Sequence, residues 1–258
     1  AICYISNDLN YYYIFSILKI IINSIYICIL LTSSILDAQS DTKLIDYFSE
    51  SSKKILSNNS NQFILGSAAL AALAATTIDQ NVKAYAQDKG LLSEKVSHFG
   101  DMYGGYWAHW IIWSSIVGTS IAKKENNYFS EKLEFSTLAM ITNGVITELM
   151  KRSFGRVRPN GGCCKSFPSG HTSHSFTVAT IANELYGNEI GLAAYSLAAL
   201  VATSRIHDNK HYLSDVIFGA ALGTAIGRGF ALGYQDRLRN KNANLNSPLS
   251  LRITIPLN

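Results

Sequence analysis

KRSFGRVRP (151–159), PSGH (168–171) and SRIHDNKHYLSD (204–215) are the stretches that decide how this sequence folds. Each adjoins an apolar segment with helical periodicity: the first ends such a segment, the second begins one and the third follows another. The connections between these segments are short, so successive helices run in opposite directions. We therefore expect all three clusters at one end of a helical bundle.

The cations in these clusters are suited to binding an anion. Lys151, Arg158 and Arg205 are hydrogen-bond donors without acceptor capacity. Guanidinium groups bind phosphate oxygens in a fork geometry, and lysine adds a compact point charge. Three such groups would stabilise a phosphoryl dianion and its more charged transition state.

The remaining residues of the clusters supply acid–base and nucleophilic chemistry. His171 and His211 titrate near neutrality, so each can act as nucleophile, acid or base. Asp215 follows His211 by one helical turn, where a carboxylate can hold the imidazole in one tautomer. Gly170 allows the backbone to approach an anion, at the start of a helix whose free N–H groups point toward it. Ser169 suits both a helix N-cap and a contact with a phosphoryl oxygen.

These clusters resemble the three signatures of the type 2 phosphatidic acid phosphatase / haloperoxidase superfamily. The signatures are lysine, six residues and Arg-Pro; Pro-Ser-Gly-His; and Ser-Arg, five residues, His, three residues and Asp. All three occur here in order and at the family spacing, with a short link, 160–167, between the first two. The resemblance implies that His211 attacks phosphorus and becomes phosphohistidine, while Asp215 holds its ring. It also implies that His171 protonates the leaving oxygen and then activates water.

By the same resemblance, the three cations, Ser169 and the Gly170 N–H bind the phosphoryl group, without a metal or another cofactor. The predicted activity is a phosphatase acting on phosphomonoesters. A lipid phosphate such as phosphatidate, polyprenyl diphosphate or lipid A phosphate suits an apolar bundle, and a small soluble ester suits an exported enzyme. Inorganic phosphate and vanadate are the expected inhibitors.

Three alternatives remain open. A vanadium-dependent haloperoxidase would use the same pocket to hold vanadate. A lipid-binding bundle without activity is the second alternative, and the complete set of catalytic residues argues against it. A metallohydrolase would use histidines at metal-ligand spacing, although three neighbouring cations would repel a metal ion. Its ligands would be His171, His174, His207 and His211 with Asp208 or Asp215.

Composition narrows the class further. The chain has 258 residues, of which 48% are hydrophobic and 16% charged, which favours a membrane protein or a tightly packed bundle. Its formal charge of +4 comes without a basic stripe, so we expect no nucleic-acid partner. We expect an all-α fold: a single-domain bundle of about six core helices with the active site at one end. The predicted boundaries are a leader (1–38), an N-terminal helix and linker (39–61), the phosphatase bundle (62–235) and a tail (236–258) that ends in a strand-like stretch.

Residues 18–40 resemble a secretory signal, with one lysine, an apolar core and a small residue before Gln39. We hypothesise that translation begins at Leu18 and that cleavage follows Ala38; an uncleaved membrane anchor is the alternative. The expected location is therefore outside the cytoplasm. The protein would be a compact periplasmic bundle or membrane-associated, and an integral enzyme of six helices is the rival interpretation.

Several local expectations follow from the helical periodicity. The helix at 133–150 should bury an apolar face formed by Leu138, Ile141, Val145 and Leu149. The segment 79–100 should form one helix whose inward positions are Val82, Tyr85, Leu91, Leu92, Val96 and Phe99. Gly219, Gly223, Gly227 and Gly229 should allow close helix contacts within 213–233. Arg152 and Arg156 have no counterpart in the signatures and are expected on the solvated surface. For Cys163 and Cys164 we favour free thiols over a vicinal disulfide, and for the tryptophans at 107, 110 and 113 we favour helix packing over interfacial anchoring.

Overall fold

The computed structural model describes residues 38–123 and 128–246, which are helical over most of their length, so the predicted all-α class is confirmed. The chain divides into two compact units, 1–47 and 48–258, and the packing described below is that of the second. The predicted leader up to residue 37 and the strand-like stretch 250–258 lie outside the described residues. In chain order the elements are α1 (Ala38–Ser57), α2 (Asn59–Ala75), α3 (Asp79–Lys89), α4 (Glu94–Met102), a π-helical turn (Tyr103–Trp107), α5 (Ala108–Lys123), α6 (Phe129–Phe154), α7 (Gly170–Tyr186), α8 (Asn188–His207) and α9 (Leu213–Asn246).

Helix α7 lies at the centre of the second unit and packs against α6, α8 and α9. Most of its buried positions carry alanine or a small hydroxyl side chain, which allows neighbouring backbones to approach closely. The facing glycines of α9 use this space: a Cβ at Gly227 would lie 2.6 Å from the Thr180 Cβ, and one at Gly223 would overlap the Ser173 carbonyl oxygen. The predicted close contacts at these glycines are confirmed.

Helix α6 buries a face different from the one predicted. Of the four expected core residues, Leu138 is half-buried, but Ile141, Val145 and Leu149 are 51–59% exposed. The buried positions instead include Asn143 and Thr147, and Asn143 Oδ1 accepts a hydrogen bond from the Ser173 hydroxyl of α7. A polar contact between helices therefore sets the orientation of α6, and its aliphatic side chains point outward.

The segment 79–100 forms two helices, whereas one was predicted. The chain turns at Gly90, whose φ of 69° lies in the region that favours glycine, and α3 ends there. Tyr85, Val96 and Phe99 were expected to face inward, but each is at least 40% exposed. The break gives α3 and α4 separate orientations, so a single apolar face does not run through both.

Helices continue through the predicted linker and into the predicted tail. Asn58 caps α2, and its side chain accepts a hydrogen bond from the Asn61 N–H at 3.2 Å. Asn61 is itself buried and donates to the Ala225 carbonyl of α9 at 3.0 Å, so the predicted linker is part of the packed unit. At the other end, α9 passes the predicted boundary at 236. An ion pair between Asp236 and Lys54 attaches this extension to α1.

The apolar outer surface supports membrane association. By length and composition, α8 and α9 are each able to cross a membrane, and α2 with α3 would form a third candidate span bent by 71°. Only 33% of the apolar stretch of α8 is buried. Trp107 and Trp110 are 55% and 43% exposed, although the Trp110 ring also packs edge-on against Trp113 within α5, with ring centroids 5.6 Å apart. Their exposure suits the interfacial alternative.

We predict that Gly223→Ala destabilises the fold, because its Cβ would overlap a backbone oxygen that cannot move by a side-chain rotation. The free energy of unfolding should fall by about 1–3 kcal/mol, measured by thermal or denaturant unfolding in detergent. Gly118→Ala is the matched control, because nothing lies within 4 Å of the added Cβ in α5. It should be neutral or stabilise by up to about 1 kcal/mol. Equal stability of the two variants would contradict the packing described for α7 and α9.

Candidate active site

The helix ends bring the three sequence clusters to one end of the bundle, as predicted. Lys151 lies in the last turn of α6, and Gly170 begins α7. Arg205 lies in the last turn of α8, His211 in the following loop and Asp215 in the first turn of α9. The Ser169 N–H donates to the Asp215 carbonyl at 3.0 Å, and the His211 N–H donates to the Arg205 carbonyl at 3.1 Å. The second and third clusters are therefore joined through the backbone.

A backbone carbonyl fixes the ring of His211. Its Nδ1 lies 2.7 Å from the Ser166 carbonyl oxygen and 3.7 Å from Oδ2 of Asp215. Because a carbonyl can only accept, Nδ1 carries the hydrogen and Nε2 keeps its lone pair. Asp215 Oδ2 in turn accepts hydrogen bonds from the Ser166 hydroxyl at 2.5 Å and the Tyr212 N–H at 2.9 Å. Asp215 thus acts on His211 mainly by fixing Ser166, a residue absent from the sequence prediction.

The environment of His211 keeps its imidazole neutral. Burial lowers the pKa of His211 to about 4, and the nearby positive charges of Lys151 and Arg205 act in the same direction, against the effect of Asp215. A neutral ring with a free Nε2 lone pair is the form required of a nucleophile.

Lys151 and Arg158 form the cationic side of the site. Burial, followed by the charge of Arg158, lowers the pKa of Lys151 to about 8. The Lys151 ammonium donates to the Lys165 carbonyl at 3.2 Å, and a Cβ at Gly170 would lie 3.6 Å from it. The missing side chain at position 170 therefore leaves room beside the ammonium group, at the start of α7.

Ser169 is fully buried at the N-cap of α7, but its hydroxyl makes no capping bond. Ser169 Oγ lies 2.9 Å from Thr172 Oγ1 and shares a hydrogen bond with it. A contact with phosphate would require the hydroxyl to turn away from Thr172, so the capping role is not observed and the phosphate-binding role stays a prediction.

Arg205 and His171 share a carboxylate that the sequence analysis missed. Asp101, in α4, accepts from Arg205 Nη1 through Oδ1, and the same oxygen lies 3.3 Å from Nε2 of His171. The hydrogen bond with His171, followed by the charge of Arg205, lowers the pKa of Asp101 to about 2. Gly105, in the π-helical turn, is also close, since a Cβ there would lie 2.9 Å from His171 Nε2. No sequence signal marks Asp101, because it lies outside all three clusters.

Arg156 is not on the solvated surface, as was predicted, but joins two buried carboxylates. Its Nη1 lies 2.6 Å from Asp215 Oδ1 and its Nη2 lies 2.7 Å from Asp79 Oδ2. Asp79, also missed, accepts from the Ser214 N–H at 3.0 Å and from the Ser214 hydroxyl at 2.6 Å. Buried carboxylates require such partners, which explains why Arg156 leaves the surface. Arg152 is exposed and pairs with Glu148, as expected for a surface residue.

His207, Cys163 and Cys164 have structural roles. His207 Nδ1 accepts from the Leu91 and Leu92 N–H groups at 3.1 and 3.3 Å, so it caps the connection between α3 and α4. Within the described residues, no three His, Cys, Asp or Glu side chains are placed to hold a metal ion. Cys163 and Cys164 form a vicinal disulfide, where free thiols were favoured.

We predict that Arg156→Ala destabilises the protein because it leaves Asp79 and Asp215 without their shared cation. Removing one partner of a buried ion pair should lower the free energy of unfolding by about 2–4 kcal/mol, somewhat less than for a fully buried pair. Arg152→Ala, which removes an exposed pair from a neighbouring position, should change it by less than about 0.5 kcal/mol. Unfolding in detergent measures both, and similar values for the two variants would show that the Arg156 contacts are dispensable.

Comparison with known proteins places these clusters in a family. Residues 135–239 match the model of the PAP2 superfamily. The chain is 37% identical over 115 residues to a lipid A 1-phosphatase of Porphyromonas gingivalis, covering 43% of this chain and 25% of that protein. It is 32% identical over 130 residues to lipid phosphate phosphatase 1 of Arabidopsis thaliana, covering 34% of this chain and 40% of that protein.

The chain thus spans less than half the length of these two curated relatives. Among solved structures, it aligns with Aquifex aeolicus LpxE at a TM-score of 0.45 and 24% identity, covering 55% of this chain and 88% of that one. All three clusters lie inside the family match, so the resemblance predicted from them is confirmed: residues 135–239 belong to the PAP2 superfamily.

Proposed function

We propose that the protein is a metal-independent phosphatase that hydrolyses lipid phosphomonoesters through a phosphohistidine formed on His211. The observation that carries the proposal is the placement of this ring, which is buried and tied to the Ser166 carbonyl through Nδ1, and burial lowers its pKa. That bond leaves Nε2 as the nucleophilic atom beside Lys151 and Arg205.

The first step transfers the phosphoryl group to the enzyme. His211 Nε2 attacks phosphorus, the bond to the leaving oxygen breaks, and His171 gives that oxygen a proton. In the second step His171 takes a proton from water, whose oxygen attacks phosphorus and breaks the P–N bond. Inorganic phosphate leaves, and both histidines return to their starting protonation states.

The cations stabilise the transition state of both steps. Negative charge accumulates on the equatorial oxygens of the transferring group, where Lys151, Arg158, Arg205 and the Gly170 N–H supply positive charge or hydrogen bonds. Removing one preorganised donor of this kind costs about a hundredfold or more in turnover. The same concentration of positive charge disfavours a catalytic metal ion at this position.

A lipid substrate is supported by the apolar outer surface and the candidate spans α8 and α9. The names of both curated relatives also point to lipid phosphates as their substrates. We place the active site outside the cytoplasm, in the periplasm or at the membrane, on the basis of the signal-like residues 18–40.

We predict that His211→Ala abolishes turnover, because no other side chain then presents a neutral nitrogen to phosphorus. His171→Ala should lose steady-state turnover of lipid phosphates but still accept a phosphoryl group from an ester with a very good leaving group. Rapid-quench measurement of acid-labile protein-bound phosphate separates these two outcomes. His98→Ala, an exposed histidine on α4, is the matched control and should behave as wild type. Near-normal turnover of His211→Ala would refute the assignment of the nucleophile.

We predict a bell-shaped pH dependence of kcat/KM. The folded pKa of His211, about 4, is depressed, so the nucleophilic form is present above it and is lost as pH falls. The pKa of Lys151, about 8, is also depressed, so its positive charge is present below it and is lost as pH rises. Lys151→Arg should move the part of the alkaline limb that Lys151 causes upward, because arginine stays protonated. It should leave in place the acid limb and the loss of the His171 proton. Since the substrate phosphate ionises near pH 6, both proteins are compared on one substrate. An unchanged alkaline limb in Lys151→Arg would exclude Lys151 as its origin.

A further inference from the structure

We propose that Asp101 is an internal, displaceable anion of the phosphate site, with its carboxylate oxygen standing where a phosphoryl oxygen binds between His171 and Arg205. This inference rests on the proposed phosphatase function and adds to it a residue that sets the affinity of the site for phosphate.

The position of a single oxygen carries the argument. Asp101 Oδ1 pairs with Arg205 Nη1 and at the same time lies 3.3 Å from His171 Nε2. One acceptor oxygen therefore occupies a donor of Arg205, which is assigned to hold the phosphoryl group, and a donor of His171, which is assigned to protonate the leaving oxygen. A phosphoryl oxygen that uses both donors must take the place of this carboxylate oxygen.

The backbone of Asp101 is fixed close to the site. A Cβ at Gly100 would lie 2.9 Å from the Ser204 Cβ of α8, and one at Gly105 would lie 2.9 Å from His171 Nε2. Only glycine, which has no side chain, fits at either position. Helix α4 and the π-helical turn therefore lie directly against Ser204 and His171. Departures from α-helical geometry of this kind often occur at functional sites.

The side chains differ in their freedom to move. The side chain of Arg205 is 6% exposed, whereas that of Asp101 is 42% exposed. Rotation of the Asp101 side chain can therefore carry its carboxylate into water while Arg205 keeps its place. The exchange needs no movement of a helix.

Charge makes the exchange competitive. The low pKa of Asp101, about 2, keeps its carboxylate ionised over the whole working range of the enzyme. Two anions cannot occupy the same position between His171 and Arg205, so phosphate binds only when Asp101 leaves. When hydrolysis produces inorganic phosphate, the returning carboxylate neutralises Arg205 and favours release of the product.

The test is the affinity of the full chain in detergent for inorganic phosphate, measured by titration calorimetry. Asp101→Asn should bind phosphate at least about tenfold more tightly than wild type, because the competing charge is removed. It should also be inhibited by the product at correspondingly lower concentrations. Asp101→Glu, which keeps the charge, should stay within about threefold of wild type. Glu94→Gln is the matched control, since it removes the same charge from an exposed position in the first turn of α4 and should leave the affinity unchanged.

Equal phosphate affinity of wild type and Asp101→Asn, with phosphatase activity intact, would overturn the role of Asp101 and leave the proposed function standing. Absence of both phosphate binding and phosphatase activity in wild type would overturn the proposed function itself.

A second measurement, on the unmodified chain, does not depend on how the variant folds. The carboxylate resonance of Asp101 in protein labelled with ¹³C-aspartate, assigned by its loss in Asp101→Glu, should shift when phosphate is added. No shift at saturating phosphate would show that the carboxylate is not displaced.

Discussion

The architecture of the site depends on the neutralisation of two carboxylates that are almost completely removed from water. Asp79 and Asp215 are 2% and 0% exposed, and the guanidinium group of Arg156 bonds to both. Unpaired ions in such places are costly, so the chain can close only when the start of α3, the loop after α6 and the start of α9 meet. That meeting also positions Ser166, whose carbonyl holds the ring of His211. A network of charges outside the pocket thus determines the geometry inside it.

Helix α6 partly inverts the usual distribution of side chains. The inner faces of α6 and α7 are rich in threonine, serine, asparagine and alanine, whereas Ile141, Val145 and Leu149 of α6 are exposed. Small inner side chains permit close backbone contact, and their hydroxyl and amide groups find partners on neighbouring helices. Exposure of these aliphatic side chains is unfavourable in water and is compatible with contact to lipid. This inversion and the candidate spans support the same environment for the protein.

Sequence alone gave the helices and the convergence of the three clusters, because periodicity, turns and spacing are local properties. It failed for Arg156, Asp79 and Asp101, whose partners are far away along the chain: Asp79 lies 77 residues from Arg156, and Asp101 lies 104 residues from Arg205. It also misplaced the buried face of α6, since Asn143 and Thr147 face partners on other helices that the local hydrophobic pattern does not reveal. The end of α9 was predicted too early, because its last turns are polar in sequence. The ion pair between Asp236 and Lys54 of α1, which the sequence does not reveal, holds this part of the helix in place. The missed contacts are all tertiary.

Gly219 and Gly223 of α9 lie directly against the backbone of Ser169 and Ser173 at the start of α7, and His171 and Asp215 lie at the adjoining ends of these two helices. The separation of these two helix ends is consequently set by direct backbone contact, and the size of side chains contributes little to it.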